Sequence, residues 1–309
     1  MKKYKKKLLI LSMLFLAIGL VCTACTLQSQ RLTSEADGNE EASQPASVRR
    51  EPLSPEASLK PSQVSSEANI SQPSVSSKAV KKEEKQPLDG LTVCIDAGHG
   101  RNSNAADKKE PVAPGSDIMK AAFASGTSGV STKISEASLN LIVSKKLKKV
   151  LTDKGADIIM IREDERCDLT NVDRAKLWNS SGADLAIRIH ANGINDSKVS
   201  GVLMMVPGNK YIKDRDMLDK SALIGQCVLS GVLKYTKAKS RGTVKSNDIT
   251  GFNWSEIPVA LLEMGFMTNP EEDKLLNTEE YQNKIVSGIA EGLEKYKSSI
   301  IAEASANDN

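Results

Sequence analysis

The chain has 309 residues, 39% of them hydrophobic and 26% charged, with a formal net charge of +3 at pH 7; this suffices for one medium globular domain beside a stretch that does not fold. Lys2, Lys3, Lys5, Lys6 and Lys7 at the N-terminus account for more than that whole net charge, so no clustered basic surface calls for a nucleic-acid partner. Beyond residue 25 the cysteines are Cys94, Cys167 and Cys227, an odd number without close pairs, which excludes a disulfide framework and a cysteine-type zinc site.

Residues 1–25 read as an export leader. Behind the lysines, Leu8 to Val21 form an apolar core shorter than the about 20 residues that span a bilayer. The run Cys22-Thr23-Ala24-Cys25 resembles a bacterial lipoprotein signal with Cys25 as the lipid-bearing residue, although Cys22 stands where leucine is usual. A lipidated anchor, a cleaved signal and a retained membrane anchor all stay open. Each places the rest of the chain outside the cytoplasm, at the outer face of the bacterial membrane or in the wall. Residues 26–87 are dominated by Ser, Glu, Ala, Gln, Pro and Lys and cannot bury enough apolar surface to offset ordering entropy, so a disordered linker is expected there. Its r.m.s. reach would be roughly 40 Å.

From 88 to 298 the pattern is that of a single catalytic domain in which strands alternate with helices. Leu91 to Asp96 forms the first strand, with Cys94 as a small buried hydrophobe. Glu136 to Lys154 is helical, capped by Ser135, stopped by Gly155, and carries Leu139, Ile142, Val143, Leu147, Val150 and Leu151 on one face. A strand over Asp157 to Ile161, a helix over Val172 to Asn179 and a strand over Ala183 to His190 follow. Gly201 to Val206 adds a strand, and Asp216 to Tyr235 a helix with Leu218, Leu223, Leu229, Val232 and Leu233 inward. Pro258 to Phe266 is a buried strand, Glu279 to Tyr296 a closing helix, and 299–309 a disordered tail. This alternation predicts an α/β fold, a mostly parallel twisted sheet with helices on both faces and its site at the C-terminal edge of the strands.

The only two histidines, His99 and His190, both stand where a strand gives way to a Gly-containing loop. Neutral imidazole is the commonest zinc ligand, though a histidine can also simply close a strand with a hydrogen bond. A hydrolytic zinc site takes three protein ligands. Glu136, at the start of the first helix, is the best-placed third, unless it is an ordinary first-turn acid on the helix dipole. Glu263 is the sharper anomaly, a lone charge inside Val259 to Phe266 that would be costly to bury unless useful or paired with Arg188 or Arg241. Beside a zinc site, a glutamate can move the proton of the attacking water.

The order of His99 in IDAGHG, Glu136 in EASLNL, His190 in RIHANG and Glu263 in LLEMGFMTNPEED resembles the zinc-dependent N-acetylmuramoyl-L-alanine amidases, a family of cell-wall hydrolases. The resemblance covers about Leu91 to Lys297 and includes Arg162, Arg174 and Arg241-Gly242. It implies zinc as cofactor, His99, Glu136 and His190 as its ligands, and Glu263 as the catalytic carboxylate. The implied substrate is peptidoglycan, cut between the lactyl group of N-acetylmuramic acid and L-alanine. Asp96, Asn192 and Arg241 are placed beside these four as residues that support the ligands or touch substrate.

The chain departs from the family pattern at Ala97, where proline is frequent, and in a long loop from Arg101 to Lys133 between the first two proposed ligands. With its ends at two ligands, that loop is expected to border the substrate groove. Two competing functions are a zinc peptidase or deacetylase on a similar sheet, and a non-catalytic wall-binding or regulatory lipoprotein, which would ordinarily have lost one of the four residues. No repeat or separate wall-binding module is visible, so targeting falls to the anchor, the catalytic domain or an activator or scaffold protein.

Overall fold

The structure is a computed structural model that describes residues 85–102 and 108–307. The leader, Cys25 and nearly all of the expected linker lie outside the described residues, which belong to one compact unit. Six strands form the main sheet: β1 (Thr92–Ala97), β4 (Asp157–Met160), β5 (Leu185–Asn192), β6 (Val202–Pro207), β7 (Ser240–Ser246) and β8 (Val259–Phe266), in the order β4-β1-β5-β8-β6-β7. Two short strands, β2 (Lys109–Pro111) and β3 (Met119–Ala121), make a separate antiparallel hairpin within the long loop.

All neighbours in the main sheet are parallel except β6 and β8. The reversal follows from chain length, since the 193–201 connection is too short for a helical crossover, which takes a dozen or more residues. The helices are α1 (Glu136–Asp153), α2 (Asn171–Ser180), α3 (Arg215–Thr236), α4 (Thr250–Asn253), α5 (Pro270–Leu276) and α6 (Glu279–Asn307).

Strand alternation divides the core into two layers. Val93, Ile95, Leu185, Ile187, Ala260 and Leu262 meet Leu139, Val143 and Leu147 of α1, Ile224 and Val228 of α3, and Ile285, Ile289 and Leu293 of α6. On the other face Cys94, Ala186, Val259 and Leu261 pack with Trp178 of α2 and Phe252 of α4. The expected two-sided α/β sheet is therefore observed. In α3 the burial falls on Ile224, Val228, Leu229 and Val232, whereas Leu218, Leu223 and Leu233 are only half-buried. The helix sits there because α3 and α6 cross at glycines: a Cβ on Gly231 would come 2.1 Å from the Gly288 carbonyl oxygen.

Local capping explains where the site helices begin. Ser135 caps α1 by accepting from Ser138 N, and Gly155 follows it with φ +91°. Thr170 and Asp173 cap α2 reciprocally. One expectation is corrected: α6 continues to Asn307, through most of the stretch read as a disordered tail. Ile300 packs against the core and carries the helix past Tyr296.

Candidate active site

β1 delivers its chain into Gly98-His99-Gly100. His99 has φ +60°, a left-handed backbone that costs a residue with a Cβ roughly 1–2 kcal/mol. Two buried arginines hold the turn. Arg162 donates to Ala97 O (2.8 Å) and Gly98 O (2.9 Å), and Arg174 donates to Ala97 O (3.1 Å) and His99 O (2.5 Å). Asp96 lies fully buried beneath, accepting from Arg174 Nη1 at 2.6 Å and Arg188 Nε at 2.8 Å. Burial alone would raise its pKa, but the charges of Arg174 and Arg188 hold it well below the usual carboxylate range.

Three side chains converge above this turn. Glu136 Oε1 lies 2.9 Å from His99 Nε2 and 3.1 Å from His190 Nδ1, and the imidazole rings stand edge to face at 4.8 Å. Glu136 is otherwise held by Ala191 N (3.2 Å) and Asn140 Nδ2 (3.3 Å) on Oε1, and by Thr127 N (2.9 Å) on Oε2. Burial opposes its ionisation, but the imidazoles of His190 and then His99 beside it keep its pKa far below normal. Burial pulls His190 down to about 4, leaving it neutral at pH 7, the form that binds metal.

The donor chemistry fits a cation. His99 Nδ1 is 2.8 Å from the Ala124 carbonyl, which can only accept, so Nδ1 carries the proton and a neutral ring turns a lone pair on Nε2 toward Glu136. Two acceptors facing each other at 2.9 Å call for positive charge between them. One donor atom from each of His99, Glu136 and His190 lies within 4.8 Å of the others. Tetrahedral zinc with bonds of about 2.0–2.2 Å sets its ligand atoms about 3.3–3.6 Å apart. His190 Nε2 and Glu263 Oε2 are buried without a hydrogen-bond partner among the described residues.

A family model described as N-acetylmuramoyl-L-alanine amidase matches residues 93–295. The chain belongs to this amidase family. The germination-specific N-acetylmuramoyl-L-alanine amidase of Bacillus subtilis is 30% identical over 227 residues, covering 68% of this chain and 81% of that protein. The crystal structure of an N-acetylmuramoyl-L-alanine amidase from Clostridium difficile aligns with 29% identity and TM-score 0.56, over 68% of this chain and 97% of that one. The CwlD amidase of Clostridioides difficile, solved in complex with the GerS lipoprotein, aligns with 25% identity and TM-score 0.54, over 68% and 99%. The chain is thus a hydrolase with peptidoglycan amidase activity.

In the amidase domain Glu263 sits on β8 directly across from His190 of β5. Burial, and then the nearby Glu136 charge, push its pKa up to about 8. Neither arginine considered as its partner takes that part: Arg188 is committed to Asp96, while Arg241 is exposed, lies over the Phe266 ring at 5.2 Å and donates to Ser200 O. Arg241 lines no part of the groove at the site. That groove, about 470 Å³, is walled by Lys120, Thr127, Asn171, Asn192, Thr250 and Leu261 among others.

Asn192 therefore borders the groove, its Oδ1 accepting from Gly193 N at 2.8 Å. Asp96 is tied to the His99 turn through Arg174, which donates to Ala97 O and His99 O. The long loop supplies a wall through Lys120, Ala121, Ala124, Gly126 and Thr127. Sequence reasoning gave no part to Asn140, although its place four residues after Glu136 puts both on one helix face. Glu110 and Asn171 likewise had no expected part in the site.

Proposed function

We propose that the chain cleaves the amide between the lactyl group of N-acetylmuramic acid and L-alanine of the stem peptide, with zinc held by His99, Glu136 and His190. Bound there, zinc would polarise the scissile carbonyl and acidify the attacking water. Glu263 takes that water's proton and returns it to the departing alanine nitrogen. Arg162 and Arg174 hold the His99 turn through its carbonyls, while Thr127 N and Ala191 N fix both oxygens of Glu136, so the ligands need little rearrangement. Asn192 and the long loop border the groove in which glycan and stem peptide lie.

The observation that carries this reading is the convergence of His99, Glu136 and His190 beside Glu263, whose buried Oε2 has no hydrogen-bond partner among the described residues. Peptidoglycan lies outside the cytoplasmic membrane, and the basic, apolar leader fits export to the membrane's outer face or the wall. Lipid on Cys25, a retained leader or a partner protein would hold the enzyme there. Among the described residues no helix is long and apolar enough to cross a membrane.

The test is digestion of purified peptidoglycan by the full chain, with and without a chelator, beside Glu263→Gln. New alanine amino termini should appear with the native enzyme, vanish with chelator, and form about 10²–10⁴-fold more slowly in Glu263→Gln. Full activity in that variant would overturn the role of Glu263.

A further inference from the structure

Glu110, on β2, is a carboxylate only 5% exposed, and a buried carboxylate is costly unless it is hydrogen-bonded. Its Oε1 accepts from Asn171 Nδ2 (2.9 Å) and its Oε2 from Val172 N (3.0 Å), on the first turn of α2. Asn171 Nδ2 donates at the same time to the Ala122 carbonyl (3.1 Å), and Asn171 N reaches that oxygen at 3.4 Å. Two residues further along, the Ala124 carbonyl takes His99 Nδ1. One turn along the same helix, Arg174 grips the backbone carbonyl of His99. The first turn of α2 therefore fixes both the backbone of His99 and the segment whose carbonyl orients its ring.

We propose that Asn171, backed by Glu110, is a positioning residue for the metal centre. It holds residues 122–124 so that the Ala124 carbonyl keeps the proton on His99 Nδ1 and leaves Nε2 turned to Glu136. The inference rests on the reading of His99 as a metal ligand. Neither side chain hydrogen-bonds a metal ligand, so the effect travels through the backbone of the loop. Outer partners that orient a ligating histidine typically govern metal affinity by 10–100-fold, and the loop thereby acts on the metal site as well as bordering the groove.

The experiment measures zinc affinity of the full chain by competition with a chromophoric chelator. Asn171→Ala should bind zinc about 10–100-fold more weakly. Glu110→Gln, which keeps one acceptor oxygen, should show a smaller loss. Asn179→Ala is the control: at the far end of α2 it bonds Trp254 O and Glu256 N, so it should lower the melting temperature and leave zinc affinity unchanged. Zinc affinity within twofold of wild type in folded Asn171→Ala overturns the proposal. Should that variant not fold, the ¹⁵N spectrum of histidine-labelled, zinc-free wild type decides, since the chain has two histidines. A His99 ring protonated on Nε2 rather than Nδ1 overturns the proposal, and one protonated on Nδ1 supports it. A wild-type chain that binds no zinc, with turnover indifferent to chelator, removes the metal reading and this inference with it.

Discussion

Replacing Asp96 with asparagine tests the foundation of the site. Asp96 on β1 is the Cα partner of Arg188 on β5, and its other oxygen meets Arg174 of α2, so one carboxylate joins the strands that carry both histidines to the helix that grips the His99 turn. Stranding a buried charge by removing its partner costs about 3–5 kcal/mol. The two arginines would suffer unequally. Arg174 keeps the carbonyls of Ala97 and His99 and the Cys167 sulfur, whereas Arg188 keeps the Trp178 ring at 5.8 Å and the nearby carboxyl of Glu263.

A domain of this size loses about 2–4 °C of melting temperature per kcal/mol, so Asp96→Asn should melt roughly 6–20 °C lower at pH 7. Because the folded pKa of Asp96 is depressed, its contribution is present above the unfolded value of about 3.9 and is lost as the pH falls below it. Calorimetric scans of both chains from pH 7 downward should therefore converge in acid. Equal melting at pH 7, or a gap that stays constant into acid, would refute the assigned role of this carboxylate.

Two other substitutions probe geometry. Gly126 has φ +76°, and a Cβ there would stand 2.8 Å from Glu136 Oε2 and 2.9 Å from His99 Cδ2, so Gly126→Ala should weaken zinc binding and turnover by about tenfold or more. Chelator competition checks the first, and release of alanine amino termini the second. Gly231→Ala pushes α3 off α6 without touching the groove, and overpacking of about 1–3 kcal/mol should lower the melting temperature while leaving KM unchanged below it.

The sequence was most legible where chemistry coincided with periodicity. Glu136, His190 and Glu263 each stand at a strand or helix position fixed by an apolar pattern, and His99 two residues beyond the end of such a strand, so the fold that was read brings them together at one sheet edge. Arg241 was expected at the site from the family resemblance, but it belongs to β7, an exposed edge strand whose sequence Ser-Arg-Gly-Thr-Val-Lys-Ser has no apolar stripe to announce it. The antiparallel turn of β6 was hidden for another reason, since direction is set by connection length and not by the strand's own residues. Glu110 and Asn171 escaped because a carboxylate in a three-residue strand and an amide at a helix start look like any surface pair. Only the folded loop shows that both are hydrogen-bonded inside it.

The β2–β3 hairpin is fastened at its base by Glu110 to α2, and by Val112 O and Pro111 O to Asn253 and Trp254. Residues 114–118 beyond those fastenings are mostly exposed, and they are closed on themselves by Val112 N to Ile118 O and Ser116 N to Ala113 O. Length and composition can change at that tip while the anchors downstream stay in place. It is a natural graft point, where a foreign peptide or an affinity tag could be displayed beside the groove without disturbing the hydrolytic machinery.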